Sequence, residues 1–182
     1  NSIYSNPQEL FGKFNIQNNI VLVESFSSFL ERDLVVYFKQ SGIEKQRVEI
    51  EGEIVKIVSI SNNEYAIFSK FLNQSRISIY YENLNQIFTD LELPNCEIFD
   101  ACLLDNYLIF SSSNGLFKYD FNLNTLTSIS SNLIVSKIIR SEMDSFVYLI
   151  AGNKLWTYST ANLSLITNYG DSIRNFIPVY NK

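Results

Sequence analysis

Leu34-Val35-Val36-Tyr37, Ile77-Ser78-Ile79-Tyr80, Leu116-Phe117-Lys118-Tyr119 and Leu155-Trp156-Thr157-Tyr158 repeat one pattern: an aliphatic residue, two variable positions, then tyrosine. The copies stand about 40 residues apart, a period that marks one supersecondary unit used again and again. Strand-length apolar runs and polar turn residues surround each copy.

The runs assemble into groups of four. Ile54 to Ile60, Tyr65 to Phe68, Ile77 to Tyr80 and Gln86 to Thr89 make one group. Ile98 to Cys102, Tyr107 to Phe110, Leu116 to Tyr119 and Leu126 to Ile129 make the next. Ile134 to Arg140, Phe146 to Ile150, Leu155 to Tyr158 and Ser164 to Asn168 make the last. Asn62-Asn63, Asp105-Asn106, Asp144-Ser145, Asn114-Gly115 and Gly152-Asn153 fall between runs, where tight turns need residues that tolerate positive φ. In the first group only three runs precede residue 52: Ile20 to Val23, Leu34 to Phe38 and Arg47 to Ile50. Its missing innermost strand is expected from the other terminus, Ile173 to Val179, pairing with Ile20 to Glu24. Pro178 would mark where that strand stops.

The fold expected is therefore all-β: a single four-bladed β-propeller of four-stranded antiparallel blades, its ring closed by the C-terminal strand on the N-terminal blade. Blade one takes residues 18–52 plus 173–180, blade two 54–92, blade three 97–131 and blade four 134–170. Residues 1–17 form an extension in which Asn6-Pro7-Gln8-Glu9-Leu10-Phe11 carries the start signals of a short helix. The alternative is a piece of a larger propeller, with Ile173 to Val179 opening a fifth blade.

Composition agrees. Fourteen Phe and eleven Tyr against one Met, with alanine only at Ala66, Ala101, Ala151 and Ala161, favour pleated sheet over helix. A net charge of −5 and a pI near 4.8 argue against nucleic acid, which calls for a basic stripe. No apolar run approaches the roughly 18 residues of a membrane helix. The chain opens at Asn1 rather than Met, which points to removal of a signal peptide or a longer precursor, though a cloned fragment would look the same; an exported, periplasmic or outer-membrane-associated protein is expected. Cys96 and Cys102 flank a predicted strand, which holds their Cα atoms near ~20 Å apart, beyond the reach of a disulfide; Cys102 is expected buried.

No histidine occurs, so Ser-His-Asp and Cys-His catalysis and the commonest metal ligand are absent. Carboxylate pairs such as Glu31/Asp33, Glu49/Glu51 and Asp90/Glu92 read as solvated charges at strand period. Glycine-rich phosphate cradles and acidic calcium loops are also missing. The protein is read as a non-enzyme without cofactor or metal. Lys56, Asp100, Lys137 and Arg174 fall on expected innermost strands and are candidates to line an axial channel; pairing or solvation near strand ends explains them as well. The recurring tyrosines read as packing between blades.

Two links between second and third strands look long and apolar: Glu24 to Glu31 in blade one and Ser69 to Gln74 in blade two. Phe26, Phe29, Leu30, Phe71 and Leu72 are the candidate partner-binding patch, because contiguous exposed apolar surface marks interaction sites. The alternative is that these loops fold back over the core.

Asn114-Gly115-Leu116-Phe117-Lys118-Tyr119-Asp120 and Asn153-Lys154-Leu155-Trp156-Thr157-Tyr158-Ser159 resemble the blade motif of quinoprotein-like and WD40-like β-propellers. The resemblance implies a rigid ring used for binding; the cofactor residues of quinoprotein enzymes have no counterpart here. The Asn-, Ile-, Ser- and Lys-rich vocabulary resembles that of Borrelia spirochaetes. There it is similar to the N-terminal region of an envelope protein family implicated in cell division and outer-membrane integrity, which ends in a peptidoglycan-binding LysM domain. That resemblance implies a cell-envelope scaffold whose partner is another envelope protein, with peptidoglycan association through regions outside this chain. The alternative function is a carbohydrate- or small-ligand-binding module.

Overall fold

A computed structural model of the chain describes residues 10–17, 20–26, 32–87, 90–141, 145–161, 163 and 165–169. The chain divides into two compact units, Asn1–Glu97 and Ile98–Lys182. Each holds two four-stranded antiparallel sheets, and every sheet is a meander in chain order.

The first sheet of unit one comprises β1 (Leu10–Gln17), β2 (Ile20–Phe26), β3 (Arg32–Phe38) and β4 (Glu44–Glu49). The second comprises β5 (Glu53–Ser59), β6 (Glu64–Phe71), β7 (Gln74–Tyr81) and β8 (Leu91–Pro94). Unit two continues with β9 (Ile98–Leu104), β10 (Tyr107–Ser112), β11 (Gly115–Asp120) and β12 (Thr125–Ser130). Its second sheet is β13 (Lys137–Arg140), β14 (Phe146–Ala151), β15 (Lys154–Ser159) and β16 (Leu165–Tyr169).

Burial explains why the central strands read as unbroken apolar runs. Ile20, Leu22, Leu34 and Val36 on one face of the first sheet pack with Ile54, Ile57, Tyr65, Ile67 and Tyr80 of the second. The other face presents Val21, Val23, Val35 and Tyr37, also buried. A strand covered on both sides has no polar face to alternate. In unit two, Leu104, Ile109 and Leu116 meet Ile138, Val147, Leu149 and Tyr158 in the same way. The repeated tyrosines Tyr37, Tyr80, Tyr119 and Tyr158 all lie in the third strands and are no more than 8% exposed. Tyr80 and Tyr158 pack between the two sheets of their units, and burial leaves none of the four available to stack on a sugar.

Several expectations need correction. Residues 10–17 are not part of an extension outside the blades, because Leu10–Gln17 is a strand paired with β2 from Leu10↔Phe26 to Gln17↔Ile20, and residues 1–9 lie outside the described residues. Leu10 and Phe11, placed in the expected helix, are therefore extended. Alternation of Phe14 and Ile16 with Lys13 and Asn15 supplies the strand period, and Asn15 reaches the Ile57 carbonyl and Ser59 hydroxyl of the next sheet. With β1 on one edge of β2 and β3 on the other, the innermost place expected for Ile173 to Val179 beside β2 is taken by β1; Ile173 to Val179 lie outside the described residues.

The fourth strand of blade two is Leu91–Pro94, paired with Gln74 to Ile77. Gln86, in the stretch expected to be that strand, makes a lone bridge to Tyr80. Leu84 adopts a left-handed φ of 57° and interrupts the pairing there. The second-to-third link of blade two is a two-residue turn, Leu72-Asn73, and not a long loop: β6 runs through Phe71, which pairs with Gln74. In blade one, β2 likewise continues through Phe26, and Phe29 and Leu30 lie outside the described residues. Cys96 is buried and Cys102 only half-buried; both are thiols.

Candidate functional site

Side chains fasten neighbouring sheets to each other within each unit. In unit one, Glu24 is 2% exposed and accepts from the Ile54 amide at 3.1 Å, the Lys13 amide at 3.0 Å and Arg32 at 2.5 Å. Gly12 permits this approach, since a Cβ there would stand 2.0 Å from Glu24 Oε2. In unit two, Ser111 donates to the Val135 carbonyl and accepts from the Val135 amide, while Asp100 accepts from the Ile138 amide at 2.8 Å.

These fasteners decide the fate of the channel candidates. Asp100 is buried on β9 and engaged by Ile138, so its position is explained by structure. Lys137 is exposed on β13, Lys56 is half-buried on β5, and Arg174 lies outside the described residues. No group of three or more potential metal-ligating side chains occurs among the described residues. No helix there is long and apolar enough to cross a membrane.

The feature with the geometry of a binding site is an open groove of about 570 Å³ in unit one, between the end of β4 and strand β7. Its floor is apolar: Ile50, Tyr80 and Leu84 line it and are buried. Its rim is acidic, with Glu49, Glu51 and Asp90 against the single cation Arg76. Arg76 is already engaged, by Glu51 at 2.9 Å, Asp90 at 3.3 Å and Glu92 at 3.2 Å. Burial works to lower the Arg76 pKa, but the Glu51 hydrogen bond and the three carboxylate charges outweigh it and hold it up. Gln86 donates to Asp90 at 2.6 Å. Glu49 makes no ion pair among the described residues and stands exposed beside the groove. The Tyr80 phenol is pushed up chiefly by burial and further by Asp90.

Phe71 lines a small recess that shares Glu51, Ser69 and Arg76 with the groove. The structure therefore brings one residue of the expected apolar patch to this site. Leu72, at the adjoining turn, is 86% exposed, whereas Phe26 is half-buried beneath the Arg32 guanidinium at 4.9 Å. Sequence reasoning missed the groove itself. Its walls come from positions 48–51, 69–80 and 84–90, which only the packing of two sheets brings together. The alternating charges of Glu49 and Glu51 were the one available signal.

Successive four-stranded meanders, with first strands β1 and β5, or β9 and β13, side by side, define a β-propeller type of fold. The solved structures agree. The chain is similar to one from the mitotic checkpoint complex, with a TM-score of 0.71 at 8% identity over 91% of this chain and 52% of that one. It is similar to the Dos1 propeller, with a TM-score of 0.69 at 10% identity over 90% and 47%. The β-propeller domain of Cps50 (Swd1) from Myceliophteria thermophila gives 0.61 at 12% identity over 84% and 55%. The chain thus spans about half the length of these structures. No protein-family model and no curated protein matches it.

Proposed function

We propose that the protein is a non-enzymatic interaction module whose groove between the first two sheets seats an extended, basic segment of another protein. The acidic rim over an apolar floor carries this reading. Glu49, Glu51 and Asp90 outnumber Arg76, so a cationic side chain entering the groove meets net negative charge. The floor supplies desolvated apolar contact, and exposed Leu72 extends that surface at the adjoining turn. A chain of similar fold belongs to an assembly, the mitotic checkpoint complex. Residence in a bacterial envelope, with another envelope protein as partner and a role in envelope integrity or cell division, completes the proposal and rests on the sequence vocabulary.

Affinity capture from envelope and soluble fractions, with wild-type protein and with Glu49→Lys/Leu72→Ser, tests it. Both substitutions are at exposed positions, so the variant should melt like the wild type. A specific partner should be lost by the variant, and the purified pair should weaken as salt rises. A partner retained in full by the folded variant overturns the groove as its site.

A further inference from the structure

We propose, resting on the groove as the partner's seat, that it selects a segment with one cationic side chain among apolar ones. Glu49 holds that cation, and Arg76 turns away a polybasic run. The carboxylates around the groove are unequally engaged. Arg76, on β7, directs each nitrogen at a different one: Nη1 at Glu51, Nε at Asp90 and Nη2 at Glu92. Both oxygens of Asp90 are taken, Oδ1 by Gln86 and Oδ2 by Arg76. Glu51 comes from the link between β4 and β5, Asp90 from the link before β8 and Glu92 from β8 itself, so one guanidinium ties three segments. Glu49 alone of the four carboxylates makes no ion pair among the described residues, and it is exposed.

An entering cation therefore finds its unanswered carboxylate at Glu49. Ile50, Tyr80 and Leu84 line the same groove, and an aliphatic stem and an apolar neighbour can lie on them. Toward the recess the surface changes. Arg76 lines both groove and recess, with Phe71 in the recess and exposed Leu72 at the adjoining turn. A second cation there meets a guanidinium whose carboxylates are already engaged, and stands beside a like charge. An apolar side chain at that point incurs no such cost. A basic run gains long-range attraction from the net charge of −5, but salt screens that attraction far more than it screens a half-buried neighbour.

Acetyl-Phe-Lys-Leu-amide and acetyl-Lys-Lys-Lys-amide, titrated into the isotope-labelled full chain at about 150 mM salt, give the test by NMR. The one-cation peptide should shift amides of residues 48–51 and 78–86 and saturate in the millimolar range, about threefold tighter than trilysine or better. Glu49→Gln should weaken it by about two- to fivefold, the worth of an exposed ion pair. Arg76→Gln, which leaves Glu51, Asp90 and Glu92 without their cation, should narrow or reverse the preference. Trilysine that binds the wild type as tightly or tighter overturns the selection, as does a folded Arg76→Gln variant that keeps the full preference. Unchanged affinity of Glu49→Gln overturns Glu49 as the seat. Each of these results leaves the groove standing as the partner's site, whereas shifts from neither peptide at these residues overturn the groove and the proposal together.

Discussion

The Glu24 carboxylate takes its hydrogen bond from the backbone amide of Ile54, in the next sheet, across a span of 30 residues. The same carboxylate neutralises Arg32, which is itself 9% exposed. Glu24→Ala removes an ion-pair partner of a buried guanidinium and the acceptor of a buried amide, at a cost of about 3–5 kcal/mol. Urea unfolding should show that loss, and a smaller one for Glu24→Gln. Gly12→Ala pushes a Cβ into the carboxylate and should cost about 1–3 kcal/mol. The two changes share one contact, so their costs should fall short of additivity in the double variant.

Ser111→Ala tests the corresponding fastener of unit two. It removes a hydroxyl that serves both the amide and the carbonyl of Val135, all of them buried. Stability should fall by about 1–3 kcal/mol, the penalty for stranding buried polar groups. A melt indistinguishable from wild type would mean that the contact contributes nothing.

Gly115 and Gly152 sit in corresponding turns and should respond differently. Both have positive φ, +116° and +59°. A Cβ at Gly115 would stand 2.1 Å from the Ser130 carbonyl oxygen, whereas Gly152 has open space around it. Gly152→Ala should therefore cost only left-handed strain, about 1–2 kcal/mol. Gly115→Ala adds a clash with main chain and should lie clearly above it in the same denaturation series.

Tyr65 governs part of the alkaline limb of stability. Burial, aided by the charge of Glu82, pushes its phenol up to about 12. In the unfolded chain it titrates near ~10, so between these values the unfolded state binds fewer protons. Its contribution is fully present below about pH 10 and is lost as pH rises toward about 12. Tyr65→Phe should flatten that limb. Near neutrality it should be harmless or stabilising, because the hydroxyl has no hydrogen-bond partner among the described residues. Superimposable alkaline limbs for the two proteins would contradict this.

The third strands were the most legible part of the sequence, since each carries a buried tyrosine at one position. Runs such as Ile98 to Cys102 and Tyr107 to Phe110 also appear where expected, because Asp105-Asn106 marks the turn. β1 was hidden by helix-start signals at Asn6-Pro7 immediately before an alternating strand. β8 was obscured by Pro94, tolerated because it ends the strand. The groove left almost no trace in sequence. Glu51, Arg76 and Asp90 become neighbours through tertiary packing, and no periodicity connects them.

Glu24 and Ser111 occupy the same station in their blades, three residues beyond the partner of the repeated tyrosine. One is a carboxylate and the other a hydroxyl, yet both grip main chain of the next blade, Glu24 at Ile54 in β5 and Ser111 at Val135 just before β13. Main chain is supplied by any sequence, so the grip asks for no matching mutation on the other side. The gripped segment is therefore free to change its side chains, provided that its backbone stays within reach.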